Sequence, residues 1–269
     1  MATCPKCGGT GWVIVRKSTA LTQSLYKSEV GVDYAEPCPY CNGGAQQKTE
    51  IIRERANLPV TYYDASIEHF RWDNYIDDKT QTKIDASIQK KYVESFIKDF
   101  EKWQEKGIGL YIYSKTRGTG KTYLASCICN ALMVKYKLTT KFVSCCDLIE
   151  LAKRQPRQGE KAPIEVMCEC KVLVLDDLGQ KNTGSEWMND LLFKILDTRY
   201  QRKLITLFTS NMKVVELGMD DRLTSRIDKM SQNIPLPECN YRNREAKDEK
   251  KDLFKELGLI GGAANGNKG

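Results

Sequence analysis

The chain has 269 residues, enough for one large domain or for one medium domain with an attachment. Apolar residues make up 41% of the sequence, charged residues make up 29%, and the net charge is +7, which describes an ordinary globular protein. These values exclude collagen, a mostly disordered chain and a small disulfide-stapled protein. The single histidine, His69, excludes a histidine-rich metal centre, and any Ser-His-Asp triad would need it.

The 11 cysteines are the unusual feature, and their meaning depends on the compartment. The first residues, Met1 to Cys7, lack the apolar segment of a signal peptide. No apolar run approaches the roughly 20 residues of a membrane-spanning helix. An odd number of cysteines also fits a disulfide framework poorly. We therefore expect a cytoplasmic, reduced protein with no membrane partner, whose cysteines are metal ligands or buried thiols.

Four of the cysteines form two pairs with the spacing Cys-x-x-Cys: Cys4 with Cys7, and Cys38 with Cys41. Glycines follow each pair, and such a turn points both sulfur atoms at one ion. The pairs predict a tetrahedral Zn²⁺ site, which is structural because four protein ligands leave no position for water. The segment between them is rich in Val, Thr, Tyr and Ser and predicts a β-hairpin whose ends the metal holds. The alternatives are two unrelated cysteine turns or a redox Cys-x-x-Cys.

The other seven cysteines lack this spacing and lie in or beside apolar segments. We expect all of them to be small buried side chains, because free cysteine is among the most buried residue types. They are Cys127, Cys129, Cys145, Cys146, Cys168, Cys170 and Cys239.

From Gly107 onward, short apolar segments alternate with helical patterns, which predicts an α/β fold with a parallel sheet between helices. We expect strands at 110–113, 141–144, 172–175 and 204–208, and helices at 122–137, 147–154 and 185–202. Before this core, six apolar or aromatic side chains recur at helical spacing, so one face of a helix should pack on the core. These side chains are Ile84, Ile88, Tyr92, Phe96, Phe100 and Trp103.

The composition divides the chain into four parts. The first is a zinc-binding region at 1–50, followed by a linker and helical segment at 51–106. The α/β core occupies 107–257, and a Gly/Asn/Ala-rich tail at 258–269 is expected to be flexible.

A phosphate-binding loop is predicted between the first strand of the core and the helix that follows it. Gly118 and Gly120 let successive backbone N–H groups face an anion at the helix N-terminus. We expect Lys121 to reach the β- and γ-phosphates and the Thr122 hydroxyl to bind Mg²⁺. Lys115 stands where the full P-loop pattern has its first glycine, so the shape of the loop and its nucleotide affinity stay open. The alternative is a glycine-rich surface turn.

Two acids and an amide follow the next predicted strands. Asp176 is expected to hold Mg²⁺ through water, and Asp177 to orient or deprotonate the attacking water. Asn211 follows the predicted strand 204–208 and is expected to contact the γ-phosphate and the attacking water. This placement suggests that the strand lies between the strand before the phosphate-binding loop and the strand before Asp176. The alternative for Asn211 is a helix cap.

Arg222 and Arg226 are four residues apart and therefore share one helical face. An arginine presented to the γ-phosphate of a neighbouring subunit would stabilise transition-state charge, and Arg226 is the preferred candidate. The alternative is local pairing with Asp221 and Asp228.

These motifs resemble those of the AAA+ ATPases of the bacterial helicase-loader family, which includes DnaC and DnaI and has the transposition helper IstB as close kin. The resemblance also includes Asn57–Ser66 and, more loosely, the first 45 residues. The matching core segments are 110–125, 172–179, 209–211, 222–226 and Tyr241-Arg242.

The resemblance implies an AAA+ ATPase core with Mg²⁺ at Thr122 and Asp176 and hydrolysis through Lys121 and Asp177. It implies Asn211 as the first sensor, Arg226 as an arginine finger acting across a subunit interface, and Arg242 as a second sensor. Many AAA+ proteins carry glutamate at the position of Asp177. The residues implied to bind ATP are Gly118, Thr119, Gly120, Lys121, Thr122, Tyr123 and Asp176.

The function that the resemblance implies is ATP-dependent loading of a replicative helicase. The N-terminal zinc region would bind the helicase, and an oligomer of AAA+ subunits would hold single-stranded DNA. One alternative is an IstB-like transposition ATPase that prefers duplex DNA. Another is a zinc adaptor that binds nucleotide without hydrolysing it. The net charge of +7 permits DNA contact without demonstrating it.

Overall fold

A computed structural model provides the coordinates. The chain divides into two compact units, Met1–Arg55 and Ala56–Gly269. Among the residues described, no helix is both long and apolar enough to cross a membrane. The structure describes residues 12–17, 32–38, 52–77, 80–156, 158–179, 186–240, 242, 250–251, 253–255 and 257.

The first unit contains a two-stranded antiparallel hairpin of β1 (Trp12–Lys17) and β2 (Val32–Pro37). Six residue pairs lie opposite one another in this hairpin, from Trp12 with Pro37 to Lys17 with Val32. This confirms the β-hairpin predicted between the two cysteine pairs. One turn of helix at 52–55 ends the unit.

Of the four predicted zinc ligands, the structure describes Cys38. It follows β2 directly and is buried. Cys4, Cys7 and Cys41 lie outside the described residues, so the zinc site stays a prediction.

The second unit is built on a five-stranded parallel sheet, which confirms the predicted fold class. Its strands are β3 (Gly109–Tyr113), β4 (Thr140–Ser144), β5 (Val172–Leu178), β6 (Ile205–Ser210) and β7 (Ser231–Pro235). Their order across the sheet is β4–β5–β6–β3–β7, and every neighbouring pair is parallel. β6 therefore lies between β3 and β5, as predicted for the strand that leads to Asn211.

Helices cover both faces of this sheet. Successive side chains of a strand point to opposite faces, so Leu110 and Ile112 of β3 join one buried cluster and Tyr111 joins the other. The helices are α1 (Ser87–Lys98), α2 (Phe100–Lys106), α3 (Lys121–Tyr136), α4 (Leu148–Lys153), α5 (Pro163–Glu169), α6 (Glu186–Gln201) and α7 (Asp221–Lys229). Single 3₁₀ turns lie at Val60–Tyr62, Ile67–His69, Trp72–Asn74 and Val214–Glu216.

The helical segment before the core differs from its prediction in two ways. It is two helices, which meet at Asp99, and its buried face contains Val93 and Phe96. Ile88 is 65% exposed and Tyr92 is 39% exposed, so their predicted packing on the core is wrong. The reason is geometric: a constant spacing of four residues drifts by about 40° at each step of a helix with 3.6 residues per turn. The series therefore leaves the buried face as it runs toward the N-terminus.

Six of the seven remaining cysteines are buried, as predicted, whereas Cys146 is exposed. Cys145 and Cys146 are consecutive in the turn after β4, and only the first of them joins the core. Burial raises the pKa of Cys127 to about 12 and that of Cys129 to about 11, so both are neutral thiols at pH 7.

Candidate nucleotide-binding site

The loop between β3 and α3 depends on two glycines. Gly118 has a φ of +76° and Gly120 a φ of +90°, which is left-handed backbone that side chains rarely adopt. A Cβ at Gly118 would also lie 2.6 Å from Asn240 Oδ1. Both positions therefore need glycine for the loop to curl into the N-terminus of α3, where backbone N–H groups can face an anion.

Lys121 begins α3 and places its ammonium inside the curve of this loop. Its Nζ donates to the carbonyl oxygens of Thr116 at 2.9 Å and Ser114 at 3.2 Å. The residue is only 6% exposed, and burial lowers its pKa. A buried cation whose partners are neutral carbonyl oxygens suits an anionic ligand, because the approach of a phosphate would offset the cost of burial.

Lys115, at the position of the missing glycine, does not strain the loop. Its backbone is not left-handed, and its exposed side chain pairs with Glu216 at 3.4 Å. Glu238 takes the adjacent backbone groups: its Oε1 accepts from the N–H of Lys115 at 2.8 Å and its Oε2 from that of Thr116 at 2.6 Å. Burial raises the pKa of Glu238, but these hydrogen bonds outweigh it and hold the pKa below its ordinary value.

The segment after β7 runs back along the loop. Leu236 N donates to Tyr113 O at 2.8 Å, and Arg242 N donates to Gly118 O at 3.0 Å. Arg242, the predicted second sensor, is thereby brought to the phosphate-binding loop.

Two oxygen-bearing side chains meet beside the loop. Thr122 Oγ1 donates to Asp176 Oδ2 at 3.3 Å, while Thr209 Oγ1 donates to Asp176 Oδ1 at 2.6 Å. Burial raises the pKa of Asp176 to about 6, and the hydrogen bond from Thr209 opposes that shift. The hydroxyl and carboxylate pair fits Mg²⁺, which takes oxygen ligands and uses few from the protein. Among the residues described, no group of three or more His, Cys, Asp or Glu could hold a metal.

The register between β5 and β6 shifts at the two acids. On β5, Asp176 and Asp177 lie opposite Thr209 alone, which is a β-bulge. Asp177 has a φ of +57°, unusual for a residue with a Cβ, and its N–H donates to Thr209 Oγ1 at 2.9 Å. The pairs that flank the bulge are Leu175 with Phe208 and Leu178 with Ser210.

The turn after β6 is also fixed by hydrogen bonds. Ser210 Oγ donates to Leu178 O at 2.7 Å and accepts from Met212 N at 3.0 Å. Asn211 lies between these anchored residues and lines the same cavity as Asp177.

A cavity of about 810 Å³ brings most of the predicted site residues together, and its size is ordinary for a small-molecule site. Those it includes are Gly118, Thr119, Gly120, Lys121, Thr122, Tyr123, Asp177, Asn211 and Arg242. Asp176 is not among the residues that line it, but its carboxylate accepts a hydrogen bond from Thr122, which is. Their roles in binding and hydrolysis remain predictions.

An aromatic wall forms another side of the cavity, and of its members only Tyr123 had a role predicted from the sequence. Phe70 is buried, and its ring stacks on that of Tyr123 with 6.1 Å between centroids. Tyr75 Oη donates to Thr119 O at 3.1 Å, which ties the wall to the phosphate-binding loop. Asn130 of α3 anchors the same segment by donating to Ala65 O at 2.9 Å. Flat apolar rings beside a phosphate site suit a nucleotide base.

The two predicted trans-acting arginines lie on α7 and are not among the residues that line this cavity. Arg226 pairs with Asp197 of α6 and lies over the Tyr200 ring, with Cζ 4.1 Å from its centroid. Arg222 donates to Asp220 at 2.8 Å. Both arginines thus have acidic partners, but neither partner is one of those considered from the sequence.

The fold and this site can be compared with known proteins. The family of IstB-like ATP binding proteins matches residues 98–235, which contain the entire parallel sheet. The chain belongs to this family. It is an ATP-binding AAA+ protein related to DnaC, DnaI and IstB.

Two helicase loaders are similar to this IstB-like chain in sequence. DnaC of Escherichia coli (strain K12), a replicative helicase loader, is 27% identical over 185 residues, which are 67% of this chain and 69% of DnaC. The replicative helicase loader DnaI of Bacillus subtilis (strain 168) is 30% identical over 127 residues, or 47% of this chain and 40% of DnaI. A crystal structure of DnaI matches with a TM-score of 0.54 at 26% identity and covers 68% of this chain and 93% of that one.

Proposed function

We propose that this protein is an ATPase that loads a replicative helicase onto single-stranded DNA. The observation that carries the proposal is one cavity, in which the phosphate-binding loop meets Asp177 and Asn211 in a chain similar to named helicase loaders. The loader role belongs to those relatives by name and is proposed for this chain.

In this proposal, Lys121 and the N–H groups of the loop bind the β- and γ-phosphates. Thr122 and Asp176 hold Mg²⁺, which when bound neutralises charge on the phosphates. Asp177 and Asn211 orient the water that attacks the γ-phosphate. Arg226 reaches the γ-phosphate of a neighbouring protomer, so hydrolysis requires self-association.

The N-terminal unit is the proposed helicase-binding part. We propose that Cys4, Cys7, Cys38 and Cys41 hold Zn²⁺ and thereby fix the ends of the hairpin. Support comes from the antiparallel pairing of β1 with β2 and from the burial of Cys38 directly after β2.

The function is tested by reconstitution with a replicative helicase from a bacterium whose own loader is of this family. We expect the protein to bind the helicase, to increase its loading on circular single-stranded DNA in an ATP-dependent way, and to hydrolyse ATP. A protein that neither binds helicase nor changes its loading would contradict the proposal.

The zinc site is tested separately by the metal content of the purified protein. We expect one Zn²⁺ per chain, and its loss when Cys38 and Cys41 are both changed to Ser. Cys146→Ser is the matched control, because Cys146 is an exposed cysteine of the other unit. Unchanged zinc content in the double variant would refute the four-thiolate site.

A transposition ATPase is the second candidate, because the matching family carries the IstB name. Such a protein would bind duplex DNA in preference to single strands. Competition between the two DNA forms for the ATP-loaded protein separates the candidates, and preference for single strands is the result expected for a helicase loader.

A further inference from the structure

Thr209 is a fully buried residue of β6 whose hydroxyl makes hydrogen bonds to two acidic residues at once. It donates to Asp176 Oδ1 at 2.6 Å and accepts from the N–H of Asp177 at 2.9 Å. One hydroxyl can do both because it carries one donor and two acceptor lone pairs.

We propose that Thr209 is a positioning residue for the acid pair of the nucleotide site. Its hydroxyl sets the orientation of the Asp176 carboxylate and holds the backbone of Asp177. This inference rests on the proposed function, in which Asp176 holds Mg²⁺ and Asp177 orients the attacking water.

The effect on Asp176 follows from its two oxygens. Thr209 occupies Oδ1, and Thr122 lies at Oδ2, where the hydroxyl and carboxylate would share Mg²⁺. The side-chain torsion of an aspartate has a broad energy minimum, so without the bond at Oδ1 the carboxylate would rotate more freely. Partners behind a metal ligand commonly set metal affinity in this way.

The effect on Asp177 follows from its backbone. A φ of +57° is less favourable for a residue with a Cβ than for glycine, although aspartate tolerates it better than most residues, so a hydrogen bond to this backbone helps to fix its conformation. The hydrogen bond from the Asp177 N–H to Thr209 supplies that restraint at the bulge. The same restraint keeps Asp177 among the residues that line the cavity.

The test compares three variants of the full-length protein. Thr209→Val removes the hydroxyl and keeps the shape of the side chain, whereas Thr209→Ser keeps the hydroxyl. Thr206→Val is the matched control: Thr206 is also fully buried on β6, but its hydroxyl accepts from Arg199 Nε at 3.0 Å instead of serving an acid.

Binding of a fluorescent ATP analogue is measured as a function of Mg²⁺ and again with the metal chelated. For Thr209→Val, we expect the Mg²⁺ concentration at half-saturation to rise at least about tenfold, the usual effect of losing a partner of a metal ligand. Affinity with the metal chelated should change little. Thr209→Ser and Thr206→Val should both match the wild type.

Three results would overturn the proposal: a wild-type Mg²⁺ dependence in Thr209→Val, the same loss in Thr206→Val, or the same loss in Thr209→Ser. Thermal unfolding of each variant identifies a folding defect, and Thr209→Ala then replaces Thr209→Val as the variant without the hydroxyl. Wild-type nucleotide binding that is insensitive to Mg²⁺ would contradict the proposed function itself, which separates the two failures.

Discussion

The nucleotide cavity and the surface between α6 and α7 both carry charged side chains predicted to act on ATP. The two regions differ in how deeply these side chains are buried and in how many partners fix them. Lys121 in the cavity and Asp176, which accepts from the cavity residue Thr122, are both buried, and each has more than one hydrogen-bond partner. At the α6–α7 surface, Arg226 is 22% exposed and pairs with Asp197, and Arg222 pairs with Asp220 at the solvent boundary.

This difference in burial fits the nucleotide on which each group is proposed to act. A group that acts on nucleotide bound by its own chain gains from being fixed in advance, because no reorganisation is then needed when the ligand arrives. A group that acts on a neighbour's nucleotide must be able to leave its local partner. The exposed pair of Arg222 with Asp220 is weak enough to exchange, whereas Arg226 and Asp197 are 22% and 24% exposed, so Arg226 would leave Asp197 only for another anion such as a phosphate.

The largest effect is expected from Lys121→Ala, which removes the cation at the centre of the phosphate-binding loop. ATPase activity should fall at least about 100-fold, because charge stabilisation of this kind typically contributes that much or more. Hydrolysis is measured together with binding of a fluorescent nucleotide. Lys135→Ala is the control, since Lys135 lies near the other end of α3 and donates to Lys98 O. Full function in Lys121→Ala would instead support a non-hydrolysing adaptor.

Arg226→Ala should reduce ATP hydrolysis nearly as much and should leave nucleotide binding unchanged. We expect the ATPase rate of the assembled protein to fall about 100-fold or more, because one group that stabilises charge in the transition state is lost. Nucleotide affinity of the single protomer should stay unchanged, because Arg226 is not part of the cavity lining. Lys229→Ala, an exposed cation on the same helix with no predicted role, is the control and should leave the rate unchanged. Weakened nucleotide binding in the Arg226→Ala protomer would remove the distinction between the two regions.

Glu238→Gln should have an intermediate effect. An amide oxygen is a weaker acceptor than a carboxylate, so the N–H groups of Lys115 and Thr116 would be held less firmly. We expect nucleotide affinity to fall about threefold to tenfold, corresponding to roughly 1 kcal/mol for a charge-assisted bond. Titration with the fluorescent analogue measures it. Glu216→Gln loses the exposed pair with Lys115 and weakens the acceptor for the Lys213 N–H, neither of which involves the loop backbone, so it should bind nucleotide normally. Equal losses in both variants would refute the role of Glu238.

Lys115→Gly should have the smallest effect. It restores the glycine of the full P-loop pattern, but the Lys115 backbone is not left-handed and its side chain points to Glu216. Nucleotide affinity should change less than about twofold, the size expected when one exposed ion pair is lost. Tighter binding by an order of magnitude in the same titration would mean that the loop requires glycine there.

The sequence alone predicted those features that depend on a short, continuous stretch of residues. Four apolar residues before Asp176 identified a buried strand, and the glycines around Lys121 identified the loop. The position of β6 between β3 and β5 was also predicted, from the expectation that Asn211 at its end contacts the γ-phosphate.

Contacts between distant parts of the chain could not be predicted in this way. Glu238 caps a backbone group 123 residues away, and a glutamate in an irregular segment carries no sign of such a role. Thr209 lies in the matching segment 209–211, but its hydrogen bonds to Asp176 and Asp177 could not be predicted, because they depend on a bulge in a neighbouring strand. The pairing of Arg226 with Asp197 likewise depends on how α6 packs on α7.

The most direct test of the proposed division of labour mixes two inactive variants. Lys121→Ala cannot use its own site but keeps Arg226, and Arg226→Ala keeps its own site but lacks the arginine. If a working site needs both protomers, an equal mixture should recover about a quarter of the wild-type ATPase rate, since one interface in four joins an intact site to an intact arginine. ATP hydrolysis measured with helicase and single-stranded DNA present decides the matter. Recovery in the mixture is the predicted result, and a mixture as inactive as its two components would contradict it.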